Sequence, residues 1–285
     1  MHSISENIKL RKLTLADIPF AMGLKTKANW NQLVSDWEFL IKADKGGNFV
    51  AEYNGRNAGT ATTLIYQDKF SWIGMVLVDP AFRGLGIGTT LLNAAIDFAR
   101  DKGTVRLDAT PQGKKLYEKL GFQTERELLR LERGGSMPIS GHSPAAVIKS
   151  IPDDLAEMDA SVFGANRGKV LRYLNSNSPD YACSVIEDGK VTGYCLGRSG
   201  SNYEHIGPLI AENTDAARGL LITALESCRD KPVIVDTFAD NSNWIDFLKS
   251  MGFKIQRPLI RMYLGNLNHP GKPEMQYAIA GPELG

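Results

Sequence analysis

Leu120-Gly-Phe122 returns as Met251-Gly-Phe253, 131 residues downstream, and other landmarks recur at nearly that distance. Ile73-Gly74 is echoed by Ile206-Gly207, Leu91-Leu92 by Leu220-Leu221, and Asp108, which closes a strand-like run, by Asp236. A separation kept by so many landmarks marks a duplicated module of about 130 residues, a normal domain size. The repeat predicts two domains, residues 1–133 and 143–285, joined by a linker at 134–142 rich in Gly, Ser and Pro.

The spacing drifts unevenly. Gly74 to Leu92 is 18 residues, whereas Gly207 to Leu221 is 14. The second copy has therefore lost four residues between a strand and the following helix. In the first copy that stretch holds the most distinctive loop of the chain.

Composition excludes several classes. With 43% hydrophobic and 23% charged residues, the chain is neither disordered, collagenous nor a coiled coil. A formal net charge of +1 offers no basic field for nucleic acid or an anionic membrane, so neither partner is expected. Cys183, Cys195 and Cys228 form no Cys-x-x-Cys pair, so neither a disulfide framework nor a metal site is expected. Residues 1–11 lack the basic start and apolar core of a signal peptide. The longest apolar stretches, such as Ile73–Val78, fall far short of the roughly 20 residues that span a bilayer. The expected location is the cytoplasm, and no pattern specifies an oligomeric state.

Local patterns place the elements of the first copy. Strands are predicted over 8–12, 48–53, 58–66, 70–78, 105–109 and 123–131, with a turn at 54–57. Helices are predicted from the Thr14–Asp17 capping box to about Lys25, over 33–43, over 88–101 with Gly103 as its C-terminal cap, and over 111–120 with Pro111 at the first position. The mostly apolar run Phe70–Val78 reads as a central strand.

Between that strand and the long helix stands Val78-Asp-Pro-Ala-Phe-Arg-Gly-Leu-Gly-Ile-Gly-Thr89. Gly84, Gly86 and Gly88 let the backbone turn sharply and bring N–H groups against a ligand. The loop feeds a helix N-terminus, whose dipole and unpaired donors favour an anion such as a pyrophosphate, and Arg83 adds a positive charge. A nucleotide-triphosphate loop would end in Gly-Lys-Ser/Thr, but Gly88 is followed by Thr89. A dinucleotide fingerprint requires Gly-x-Gly-x-x-Gly directly after a strand, whereas here the spacing is Gly-x-Gly-x-Gly and residues 79–83 intervene. Asp108, 20 residues past Gly88, imitates the ribose-binding acid and keeps a dinucleotide-binding oxidoreductase as a remote alternative.

Arg83-x-x-Gly86-x-Gly88, with Val-x-Val-Asp-Pro80 before it and Thr89-Thr-Leu-Leu92 after it, resembles the acyl-CoA pyrophosphate loop of the GNAT acetyltransferase superfamily. Leu116-Tyr-Glu-Lys-Leu-Gly-Phe122 is similar to that superfamily's Tyr-x-x-x-Gly-Phe helix end. The resemblance covers about residues 8–131 strongly. Trp30-Asn-Gln32 with Asp36-Trp37, Trp72–Pro80, Leu107–Pro111 and Ala278–Gly285 further resemble a bacterial tandem-GNAT group whose C-terminal half is a degenerate acetyltransferase domain. The resemblance implies an α/β (α+β) chain of tandem GNAT folds, each a mixed, mostly antiparallel twisted sheet flanked by helices. It implies an N-acetyltransferase that moves an acetyl group from acetyl-CoA to a primary amine, on a small molecule rather than a peptide, by direct attack in a ternary complex. A non-catalytic acyl-CoA sensor or interaction protein is the alternative.

The resemblance also assigns roles. Backbone groups of Met75, Val76, Leu77 and Val78 would line the pantetheine arm like an added strand, one N–H polarising the thioester carbonyl. Arg83, Gly84, Leu85, Gly86, Ile87, Gly88 and Thr89 would hold the pyrophosphate. Tyr117 would protonate the departing thiolate, and Thr110 would replace an Asn that contacts CoA in relatives. Asp36 is a candidate base for the amine, its bland reading being a helix charge. Trp30 and Asn31 are candidates for the acceptor pocket, although Asn31 equally suits the N-cap of the second helix.

In the second copy the loop reads Gly207-Pro-Leu-Ile-Ala-Glu-Asn-Thr214, without the arginine or the glycine triplet, and Glu212 would repel a pyrophosphate. Leu248 stands at the place of Tyr117. Loss of conventional CoA chemistry is expected there, leaving a structural half or a half with its own ligand.

Overall fold

A computed structural model describes residues 7–139, 146–147, 152–228 and 230–285. The chain divides into two compact units, one running to Leu107 and including Leu264–Asn266, the other comprising Asp108–Tyr263 and Leu267–Gly285.

The first unit contains β1 (Ile8–Lys12), α1 (Ile18–Lys27), α2 (Val34–Ala43), β2 (Phe49–Tyr53), β3 (Arg56–Tyr66), β4 (Phe70–Val78), α3 (Ile87–Ala99) and the start of β5 (Thr104–Ala109). Strands β1 to β4 form an antiparallel meander, and β5 runs parallel to β4. The predicted elements stand within about two residues of these bounds, except that a tight helical turn, Leu15–Asp17, precedes α1 where the helix itself is expected to begin. Asn54 and Gly55, with φ of 50° and 74°, make a two-residue turn that pairs Tyr53 with Arg56. At the start of α1, the Thr14 N–H and hydroxyl donate to the Asp17 carboxylate at 2.9 and 2.8 Å. Ala51, Ala58, Ala61, Ile87 and Leu91 form a core beneath the sheet. The small residues are required there: a Cβ on Gly59 would meet the Leu77 carbonyl oxygen at 2.7 Å and the Leu91 side chain at 3.0 Å.

Gly103 does not cap α3, which ends at Ala99. It turns the chain into β5 in the left-handed region, with φ of 82°. A Cβ there would meet the Lys69 carbonyl oxygen at 2.1 Å. That oxygen accepts the Thr104 N–H and has little freedom to move. Gly103→Ala is expected to cost about 3 kcal/mol, from unfavourable φ and the clash together. Urea titration checks this, and a change below about 1 kcal/mol would mean the loop simply moves aside.

The second unit holds α4 (Pro111–Lys119), β6 (Gln123–Arg133), β7 (Ala146–Val147), α5 (Asp153–Phe163), α6 (Gly168–Asn177), β8 (Cys183–Glu187), β9 (Lys190–Arg198), β10 (Glu204–Ala211), α7 (Thr214–Ser227), β11 (Val233–Phe238), α8 (Ser242–Ser250), β12 (Lys254–Leu264) and β13 (Gln276–Ala278). The repeat is visible element by element: β4, α3, β5, α4 and β6 are matched in order by β10, α7, β11, α8 and β12. Residues 140–142 of the expected linker lie outside the described residues.

The compact units part between Leu107 and Asp108, not at the expected linker. The reason is β6. This strand belongs to the first copy by sequence, yet it lies between β11 and β12 and is antiparallel to both. Two buried ion pairs show the same exchange. Arg130 on β6 makes two 2.7 Å bonds to Asp236 of the second copy, and Arg261 on β12 bonds Asp108 of the first at 2.9 and 3.0 Å. Each copy thus supplies the arginine that neutralises the other's strand-end aspartate. Leu131 of β6 joins a core with Val235, Leu220, Trp244 and Leu248.

Candidate active site

Strand β4 changes character halfway along. Its ladder with β5 covers Phe70–Trp72 against Thr104–Arg106. Beyond Trp72 the described pairings give it no ladder partner on that side within the unit. On the β3 side the register shifts between Thr60 and Thr62, so that Met75 and Val76 stand opposite Ala61 alone. Met75 has φ of 51°, unusual for a side-chain-bearing residue in a strand, and the Thr60 hydroxyl donates to its carbonyl at 2.9 Å. A bulge of this kind bends the strand and re-aims its backbone groups. Val76 and Val78 pack on the Ala58–Ile87 core, so at these positions the backbone is what remains for a ligand.

The following loop is anchored at both ends. Asp79 accepts the Ala81 N–H at 3.0 Å and pairs with Lys27 at 2.6 Å. Lys27 and that N–H hold its carboxyl below the usual carboxylate range. The sequence offered no sign of the Lys27 contact, which spans 52 residues. Leu85 and Ile87 tuck into the core while Gly84 and Gly86, both with φ of 80°, face open space, since a Cβ on either would touch nothing within 4 Å. Gly88 differs from expectation: it lies in the first turn of α3 and is not among the positive-φ glycines. The first helical bond of α3 runs from the Thr90 N–H to the Gly86 carbonyl at 3.0 Å. The N–H groups of Ile87, Gly88 and Thr89 precede it and have no acceptor within the helix. Arg83 is exposed beside them.

The three candidates on the acceptor side are found in the same unit. Asn31 is buried and is not the N-cap of α2, a position taken by Leu33. Asp36 is buried and serves the fold: its carboxylate accepts the Leu33 N–H at 2.6 Å, closing the N-terminus of α2, and it acts electrostatically on Lys25. Trp30 is half-buried between α1 and α2, its N–H bonded to the Lys25 carbonyl.

Tyr117 and Thr110 belong to the second unit. Thr110 caps α4, its hydroxyl accepting the Gly113 N–H at 3.2 Å. The Tyr117 ring meets Phe122 edge-on at 5.9 Å. The residue is half-exposed, but its hydroxyl lies in a protein-dense setting, and burial pushes its pKa up to about 12. Asp108, which stood at the place of a ribose-binding acid, is instead consumed by Arg261. In the second copy only Glu212 and Asn213 separate β10 from α7, and Leu248 is fully buried.

A strand edge opened by a bulge and continued through a glycine loop into a helix N-terminus suits an extended ligand that carries an anionic group. Residues 15–122 match the profile of the acetyltransferase (GNAT) family, and residues 155–278 match that of an acetyltransferase (GNAT) domain. The chain is 30% identical over 267 residues to the uncharacterized N-acetyltransferase YitH of Bacillus subtilis, covering 92% of this chain and 93% of the relative. It is 28% identical to holothin acyltransferase of Pseudoalteromonas, over 90% of this chain and 87% of that one. The crystal structure of a Pyrococcus horikoshii protein described as a putative acetyltransferase superposes with a TM-score of 0.86 at 24% identity, covering 98% and 96% of the two chains. The chain belongs to the GNAT acetyltransferase family and carries two copies of its domain.

Proposed function

We propose that the first copy transfers an acetyl group from acetyl-CoA to the primary amine of a small molecule, by direct attack in a ternary complex. The observation that carries this reading is the edge of β4 from Gly74 to Val78, which has no ladder partner among the described residues of its unit, opens at Met75 and leads into the glycine loop. The residues fit the co-substrate: Gly84 and Gly86 leave backbone exposed with room around it, beside Arg83 and the leading N–H groups of α3. Those groups bind the pyrophosphate, and backbone amides of Met75–Val78 align the pantetheine arm. One of these N–H groups stabilises charge on the thioester oxygen as the amine nitrogen attacks. The Tyr117 hydroxyl donates to the departing sulfur, and Thr110 adds its hydroxyl proton to the same ligand. Trp30 and Asn31 border the acceptor. Either Asp36, one of whose oxygens accepts the Leu33 N–H, or a water chain removes the amine proton. The holothin acyltransferase name supports a small acceptor by analogy alone.

Acetyl-CoA-dependent CoA release, measured over a panel of small amines, tests the proposal; binding without turnover on any amine would favour a sensor. Gly86→Glu places a side chain and a negative charge where φ is 80° and the pyrophosphate would lie. The variant is expected to lose acetyl-CoA affinity at least about 100-fold, since opposed charge and a lost anion site each cost over 1 kcal/mol. Undiminished affinity by calorimetry would remove the loop from the site.

A further inference from the structure

In the second copy, the strand edge that corresponds to the β4 edge from Gly74 to Val78 is taken. Strand β10 pairs in parallel with β11 only at Glu204–Val233 and His205–Ile234, as β4 does with β5 over a similarly short stretch. Its register then shifts between Ile206 and Leu209, matching the place of the Met75 bulge in the repeat. Into the edge so released comes β13. It runs antiparallel to β10, with Leu209 opposite Ala278 and Ile210 opposite Gln276. On its other side the Ile279 N–H donates to the Asp236 carbonyl of β11 at 2.9 Å. The segment is a wedge bonded to both strands.

Its side chains complete the filling. Ile279 packs with Leu128, Phe238 and Leu259, and Tyr277 meets Trp244 edge-on at 5.0 Å. Gly207 is needed for the approach, since a Cβ there would lie 2.0 Å from the Ile279 carbonyl oxygen. Beyond the wedge, Glu283 pairs with the buried Arg198, and the Gly285 carbonyl accepts from the buried Arg167 at 2.8 Å.

We infer that residues 276–280 stand in for an acyl-CoA arm in the second copy, sealing it, so that the full chain holds one acyl-CoA and not two. A peptide strand presents amide N–H and C=O groups along a strand edge, the same groups a pantetheine arm would offer. Being tethered, it competes at an effective concentration that a free ligand at cellular levels does not match. The assignment rests on reading the β4 edge as the acyl-CoA edge of the first copy.

Two measurements on the full chain separate the seal from that reading. The seal is read by hydrogen exchange: amides of 276–280 are expected to be as protected as those of β10, and unchanged by saturating acetyl-CoA. Rapid exchange of this segment, or a change in its protection on adding acetyl-CoA, overturns the inference. The site is read by equilibrium dialysis of wild type and Gly86→Glu against acetyl-CoA. One equivalent in the wild type and none in the variant is the expected result. A second equivalent in the wild type overturns the seal. Binding retained by the variant with 276–280 still protected and unchanged supports the seal and refutes the first-copy loop, whereas absence of binding by the wild type overturns both the stoichiometry and the reading on which it rests.

Discussion

Replacing Asp236 with alanine should destabilise the protein by about 3–5 kcal/mol, the usual consequence of leaving one member of a buried ion pair without its partner. Asp236 is wholly buried, receives both Arg130 nitrogens at 2.7 Å and lies 3.2 Å from the His205 ring. Burial opposes its charge, but Arg130, through its charge and its two hydrogen bonds, outweighs burial with help from the nearby His205 ring and holds the carboxyl well below the usual range. The unfolded chain therefore binds a proton that the folded chain does not. Stability from this group is present above about pH 4 and declines as pH falls further, so the gap between wild type and variant should narrow by about 1 kcal/mol near pH 3. Denaturant titrations at the two pH values measure both effects. A loss below about 1 kcal/mol would show that Arg130 is readily solvated without its partner. Replacing Arg130 and Asp236 together with apolar residues should recover much of the loss, because the cost lies in the orphaned charge and not in the absence of the pair.

Tyr117→Phe is expected to lower kcat by about 10²–10⁴-fold while leaving the KM for acetyl-CoA within about twofold. The ring and its edge contact with Phe122 survive the substitution, so the fold should not respond. With its pKa raised to about 12, the hydroxyl is a neutral donor throughout the physiological range. A thiol near pKa 8.5 is the stronger acid, so complete proton transfer from this phenol to a thiolate is uphill in the free protein. In the proposed reaction its contribution would be a hydrogen bond that strengthens as negative charge collects on sulfur, the thiolate taking up a proton such as the one the attacking nitrogen must lose once the N–C bond has formed. The wild-type kcat should accordingly show no alkaline decline from Tyr117 below about pH 10. Stopped-flow or coupled thiol detection gives kcat directly, and an unchanged value would take Tyr117 out of the mechanism.

The first-copy elements were legible because their local signals agree with their tertiary setting. Apolar β4 is flanked by other strands, Asn54-Gly55 adopts the positive φ its turn requires, and Pro111 opens α4. Local signals misled where one residue suits several tasks. Gly103 resembles a helix cap but answers to Lys69, and Asp108 resembles a ribose ligand but balances Arg261. In each case the deciding partner lies far away in the sequence, and such a partner carries no pattern.

The chain by itself determined the duplication, the family and the difference between the copies, because spacing, glycine placement and the shortened second loop are all local features. Tertiary structure alone decided that β6 pairs with β11 and β12, that the Asp–Arg pairs are exchanged between copies, and that 276–280 wedges between β10 and β11. Those outcomes depend on which strand edge remains open once the sheet has formed and on which buried charge still needs a counterion. Such long-range pairings leave no periodicity in the residues that make them.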